Sequence, residues 1–151
     1  MSRFLNGLAA GAVGTAMLNA ATYVDMVLRG RPFSPIPEQD VERMTERAGV
    51  SLGQDDWADA RRSGLGALMG FVTGAAGGAA YGLLRPAGRW VPQPVAVVVV
   101  GLGVMAAADV GSVALGTTDP RSWSPADWAA DMIPHLFYGA GVVVTYDALE
   151  R

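Results

Sequence analysis

Apolar residues fill four long blocks of this chain, and charged residues gather between them. The blocks run from about Phe4 to Leu28, Ser63 to Leu84, Pro94 to Gly116 and Ala126 to Leu149. Each is long enough to cross a bilayer as a helix, which takes roughly 20 mostly apolar residues. The pattern predicts an all-α, integral membrane bundle of four transmembrane helices, built as two hairpins in a single domain. The first block follows Arg3 in the manner of a signal peptide. It is longer than a typical signal core and reads as a retained anchor.

The one sizeable polar stretch is 29–62. Pro32, Pro35 and Pro37 stiffen its beginning, and 38–48 reads as a short amphipathic helix with Val41, Met44 and Ala48 on one side. Gly49 is placed to stop it. Glu38, Asp40 and Glu42 come first and Arg43 and Arg47 follow, which suits the helix dipole. A helix lying on the membrane or over the mouth of the bundle is the favoured reading, and a docking element for a partner is the other. Elsewhere, Pro92 and Pro94 mark the start of the third block. Ser124-Pro125-Ala126-Asp127 has the spacing of a capping box, and Gly116 suits a helix end. Trp90, Trp123 and Trp128 fall at predicted membrane ends, where amphipathic rings are favoured.

Glycine recurs at every fourth position of the second block, at Gly66, Gly70, Gly74, Gly78 and Gly82. In water such a helix would be poor, because each glycine loses backbone entropy. In a bilayer the backbone must bond to itself, so the helix forms and its bare stripe admits a close neighbour. The stripe is either used inside the bundle or offered outside it. Five glycines exceed the need of one close crossing, which favours an additional contact.

Composition sharpens the picture. The 151 residues are 51% hydrophobic and 17% charged, with no cysteine and a net charge of −3. No disulfide, thiolate metal site or cysteine nucleophile is available. Every basic side chain is an arginine. Arg29, Arg31, Arg43, Arg47, Arg61, Arg62 and Arg121 fall on the side of the long polar stretch, here the loop side. Arg3, Arg85, Arg89 and Arg151 fall on the terminal side. The positive-inside rule then puts the loop side in the cytoplasm and both termini outside.

A faint repeat links the halves. At an offset of 88, Pro32, Ser34, Pro37 and Met44 meet Pro120, Ser122, Pro125 and Met132; at an offset of 65, Gly74 and Tyr81 meet Gly139 and Tyr146. Such halves would be related by a pseudo-twofold axis along the membrane normal.

Any chemistry belongs to polar residues inside the blocks, which are costly in hydrocarbon and usually face the bundle interior. Counted inward from the loop side at ~1.5 Å per residue, Asp25 lies about 5 Å deep, Asp131 about 8 Å, Asp109 about 10 Å, and Asn19 and His135 about 14 Å. Asp131 and His135 share a helix face, with Tyr138 a turn further on. Asn19, Asp109, Asp131, His135 and Tyr138 thus form a candidate intramembrane cluster. It is either structural glue or a path for protons or a small cation. A reduced version leaves Asp25 and Asp131 in the headgroups and Asp109 with His135 as a pair. Pro134 would bend the last helix beside His135.

No catalytic residue, cofactor or metal site is indicated: a single histidine and no second strong ligand give neither haem nor zinc spacing. A phosphate-binding loop and a basic nucleic-acid patch are missing too. The Gly-x-x-Gly-Thr-Ala-Met run from Gly11 to Met17 and the Arg-Gly-Arg-Pro-x-Ser-x-x-Pro-Glu segment from Arg29 to Glu38 resemble small inner-membrane proteins of GC-rich actinobacteria. That resemblance implies a bacterial cytoplasmic membrane and assigns no residue a role. The expected function is non-enzymatic: a structural or accessory subunit in a homo-oligomer or a larger membrane complex, in contact with lipid and not nucleic acid. The alternative is an oligomeric channel or carrier for protons or a small solute through Asp109 and His135.

Overall fold

The computed structural model describes residues 2–54, 56–85 and 91–151, with Asp56 described through its backbone alone. Arg89 and Trp90, expected on the terminal side, lie outside the described residues. Five helices follow in order: α1 (Arg3–Arg29), α2 (Ile36–Arg47), α3 (Asp56–Leu84), α4 (Gln93–Leu115) and α5 (Pro125–Leu149), with a 3-10 turn at Pro120–Ser122 before the last. No strand occurs among the described residues.

The ends form where their residues dictate. Ser124 accepts from the Asp127 N–H while Asp127 accepts from the Ser124 N–H, so the capping box is complete. Gly116 takes φ 79° and returns its N–H to the last carbonyls of α4. α3 starts at Asp56, two turns before the apolar block, because Asp59, Arg61 and Arg62 extend it outside the apolar stretch.

Among the described residues three helices are long and apolar enough to cross a membrane: Arg3–Arg29, Trp57–Leu84 and Gln93–Leu115. The fourth expected span, α5, has 25 residues but is not among them. Asp127, Asp131, His135 and Asp147 interrupt its apolar run. It is nevertheless deeply packed, with Tyr138, Val142, Val143 and Tyr146 almost wholly inaccessible. A helix surrounded by protein has less need of an apolar surface all round.

The long helices lie in the order α3, α1, α5, α4, and each seam is made where glycines meet. Between α1 and α3, a Cβ at Gly7 would stand 2.8 Å from Ala79 Cα, and one at Gly78 would stand 2.5 Å from Gly11 Cα. Between α1 and α5, a Cβ at Gly141 would meet Gly14 Cα at 2.9 Å. Between α4 and α5, a Cβ at Gly139 would meet Gly101 Cα at 3.1 Å. Backbones this close gain dispersion contacts that larger side chains would prevent. Ala10, Tyr138, Val142 and Tyr146 fill the core beside these seams.

The α3 ladder is therefore used mainly inside the molecule. Gly74, Gly78 and Gly82 pack on α1 and the tyrosines of α5, and Gly66 packs on Pro37 of α2. Gly70 alone of the five has nothing within 4 Å. Of the two uses open to the stripe, inside packing accounts for four of the five glycines, and Gly70 is left for an additional contact. The physical reason is that α1 carries its own small residues, Gly7, Gly11 and Thr15, in matching register. The packing also lacks the expected twofold: α1 and α5 share a long seam, whereas α3 and α4 touch slightly. A twofold would make those two pairs equivalent.

α2 lies across α3 and α4 at the loop side. Its buried residues are Asp40 and Val41, while Met44 is half exposed and Ala48 is exposed. The inward face is thus turned toward Pro37 and Asp40 rather than Met44 and Ala48. Asp40 decides this, because it finds two hydroxyl donors at the end of α4.

Candidate functional site

Antiparallel packing brings the acids of α4 and α5 to one level. Asp109 lies six residues before Leu115, the last residue of α4, and Asp131 lies six after Pro125, the first of α5. Each is therefore ~9 Å along its helix from the loop-side end. His135 is one turn deeper on the face of Asp131. Its Nδ1 stands 2.8 Å from the Asp131 backbone carbonyl oxygen and 3.3 Å from Asp131 Oδ1. A carbonyl oxygen only accepts, so Nδ1 carries a proton. Asp109 lies within electrostatic range of both Asp131 and His135.

The three side chains are half-buried to buried, and Asp131 Oδ2 is buried without a hydrogen-bond partner among the described residues. Native structures leave few such oxygens, and each calls for an explanation. No three His, Asp or Glu side chains among the described residues are placed to hold a metal ion. The arrangement is a carboxylate–imidazole pair with a second carboxylate within electrostatic range. Chemically it can take up, hold and release protons.

The remaining predicted members separate from this group. α5 stands between α1, which carries Asn19, and α4, which carries Asp109. Tyr138 is turned toward α3, where its hydroxyl donates to the Gly74 carbonyl oxygen at 2.7 Å. Asp25 is bound at the loop-side surface by Arg29 and Arg31, with oxygen–nitrogen distances of 2.6 and 2.5 Å. The cluster is thus Asp109, Asp131 and His135.

Asp40 was missed as a site residue. It is 7% exposed and accepts from Ser112 Oγ at 2.6 Å and from Thr117 Oγ1, and Ser112 is one turn along α4 from Asp109. The signal was a carboxylate on the same face of the amphipathic helix as Pro37 and Val41.

A second polar group closes the terminal side. Arg85 binds Asp147 and donates to Tyr81 Oη at 2.9 Å, while its guanidinium carbon lies 5.6 Å from the ring centres of Tyr81 and Tyr146. Gln93 donates to Asp147 at 2.9 Å, and Asn6, buried on α1, donates to Glu150 at 2.7 Å. An open depression of about 590 Å³ is lined by four of these groups, Arg85, Gln93, Asp147 and Glu150. The full set binds across α1, α3, α4 and α5, and so holds the helix ends together.

On the loop side, the α4–α5 turn is held by Asp119, which accepts from both the backbone and the guanidinium of Arg121. Those bonds keep the Asp119 carboxyl below the usual carboxylate range. Trp123 and Trp128 pack edge to face, with ring centres 5.0 Å apart.

No protein-family model, no curated protein and no solved structure matches this chain.

Proposed function

We propose that this chain is a non-enzymatic, four-span protein of the bacterial cytoplasmic membrane that binds and passes protons through Asp109, Asp131 and His135. In this reading α5 is the fourth span, sheltered by α1 and α4, and the loop side faces the cytoplasm. The observation that carries the reading is the buried Asp131 Oδ2 without a partner among the described residues, beside the imidazole of His135. A cluster made solely for helix packing would use its bonding capacity within the fold. Ionisable groups in a membrane interior that leave capacity unused are typical of proton relays.

The test is reconstitution of the full chain in lipid vesicles, with proton flux followed by an internal pH-sensitive dye. Flux that is lost in Asp109→Asn with unchanged assembly supports the reading. A wild-type protein without flux overturns it.

A structural or accessory subunit is the second reading, and its support lies on α4 rather than on the α3 ladder. Gly103, Ala107 and Gly111 form a small-residue stripe that is exposed, and a Cβ at either glycine would meet nothing within 4 Å. Such a stripe suits a helix from a second copy or a larger complex. Co-release with a partner from native membranes would favour this reading.

A further inference from the structure

At the loop-side end of the bundle α2 lies across α3 and α4. α3 and α4 touch slightly, where Gly77 and Val104 stand close. Nearer the loop side, Gly74 is covered by Thr15 and Tyr138, and Gly66 is covered by Pro37. Gly70 lies between them on the same face of α3 and has nothing within 4 Å. Tyr138 and Tyr146 bond to carbonyls 64 residues earlier, at Gly74 and Gly82, so α3 and α5 run in parallel register. That register puts Pro134 at the level of Gly70, and Asp131 at the level of Ala67. α2 crosses from α3 to α4 just outside this level.

What holds α2 there is polar. Asp40 is clasped by two neutral hydroxyls, Ser112 and Thr117, and not by a cation. Arg47 donates to the Ala114 carbonyl oxygen at 3.1 Å, Ser63 donates to Glu38, and Arg62 pairs with Glu42 at 3.2 Å. Apolar anchoring is small, since Val41 is the sole hydrophobic side chain of α2 that is fully buried. Gly30 and Gly49 bracket the segment at φ 62° and 70°, a conformation that glycine reaches without strain.

We propose that α2 is a releasable cap, latched by Asp40 on Ser112 and Thr117, that controls access from the loop side to the Asp109–Asp131–His135 cluster. Ser112 lies three residues from Asp109, so latch and cluster share one turn of α4. The access role rests on the proton-binding reading above, whereas the latch stands without it.

The chain has no cysteine, so one introduced thiol reports alone. Val41→Cys places it on the inward face of α2, where Val41 is 5% exposed. A water-soluble maleimide should label it slowly in the full-length protein in vesicles. Adding Asp40→Asn, or Thr117→Val should the first variant fold poorly, should speed labelling by at least about tenfold, the order expected from losing a charge-assisted hydrogen bond. Unchanged labelling in both backgrounds overturns the latch.

Pro37→Cys with Gly66→Cys then ties the cap down, because a Cβ at Gly66 would stand 3.3 Å from Pro37 Cβ, close to disulfide spacing. Oxidation should cut proton flux by about tenfold, and reduction should restore it, if the cap governs access. Flux that ignores the cross-link overturns the access role. A wild-type chain without flux overturns the proton reading and with it the access role, while the labelling rates still decide the latch.

Discussion

Tyr138 on α5 donates its hydroxyl to the Gly74 carbonyl oxygen on α3 at 2.7 Å, reaching across the α1 side of the bundle between two helices that are not close neighbours. Tyr146 repeats the contact two turns later with Gly82, at 3.3 Å. The glycines make this reach feasible, since a Cβ at Gly74 would stand 3.3 Å from Tyr138 Cε2. Aromatic bulk on α5 and missing side chains on α3 are thus one arrangement.

Removing the hydroxyl alone should be mild. Tyr138→Phe is expected to destabilise the bundle by about 1 kcal/mol, in keeping with interhelical hydrogen bonds in membranes. Tyr138→Ala should destabilise it by roughly 3–5 kcal/mol, because it empties a buried ring site. Denaturant unfolding in mild detergent measures both, and equal losses would show that ring packing has been overrated here.

Glycines of the α3 ladder should respond unequally. At Gly78 a methyl would press on Gly11 backbone atoms at 2.5 Å, so Gly78→Ala should cost about 1–3 kcal/mol. Gly70→Ala meets open space and should be neutral, or more stable by up to about 1 kcal/mol through helix propensity. Thermal melts of the two variants decide the matter, and similar shifts would contradict the α1–α3 crossing described.

Asp109 and Asp131 should separate function from assembly. In vesicles, Asp109→Asn and Asp131→Asn are each expected to lower proton flux at least about tenfold, the range associated with losing a positioned proton-transfer group. Helical content and oligomer size, read by circular dichroism and size exclusion, should stay as in the wild type. Disassembly of either variant would instead identify these carboxylates as packing elements.

The α4–α5 turn should loosen in acid. Hydrogen bonds from Arg121 hold the folded Asp119 carboxyl below its ordinary value of 3.8. The pair's contribution is therefore complete above the ordinary carboxylate range and is lost as pH falls through the lowered value. A carbon-detected NMR titration of Asp119 should give a midpoint below 3.8, and Arg121→Ala should raise it. Asp119 is exposed, so the effect on overall stability should be small.

Local patterns in the sequence located the helices, although α3 begins two turns before its apolar block. Apolar runs of span length set α1, α3 and α4, Ser124 with Asp127 set the start of α5, and Gly116 set the end of α4. These are matters of neighbouring residues, and local chemistry settles them. The shared depth of Asp109 and Asp131 was legible too, because helix rise is constant.

Which face meets which was decided by tertiary structure alone. The α3 ladder was open to use inside or outside the bundle, and Gly7 and Gly11 of α1 take up its Gly78. Tyr138 shared a stripe with His135, yet its hydroxyl is held by Gly74. Asp40 read as one more surface acid, and it became the best-buried charge of α2 because Ser112 and Thr117, more than 70 residues away, were brought to it. Periodicity places a residue on its own helix. The partner comes from the crossing of two helices, which depends on how closely both backbones can approach.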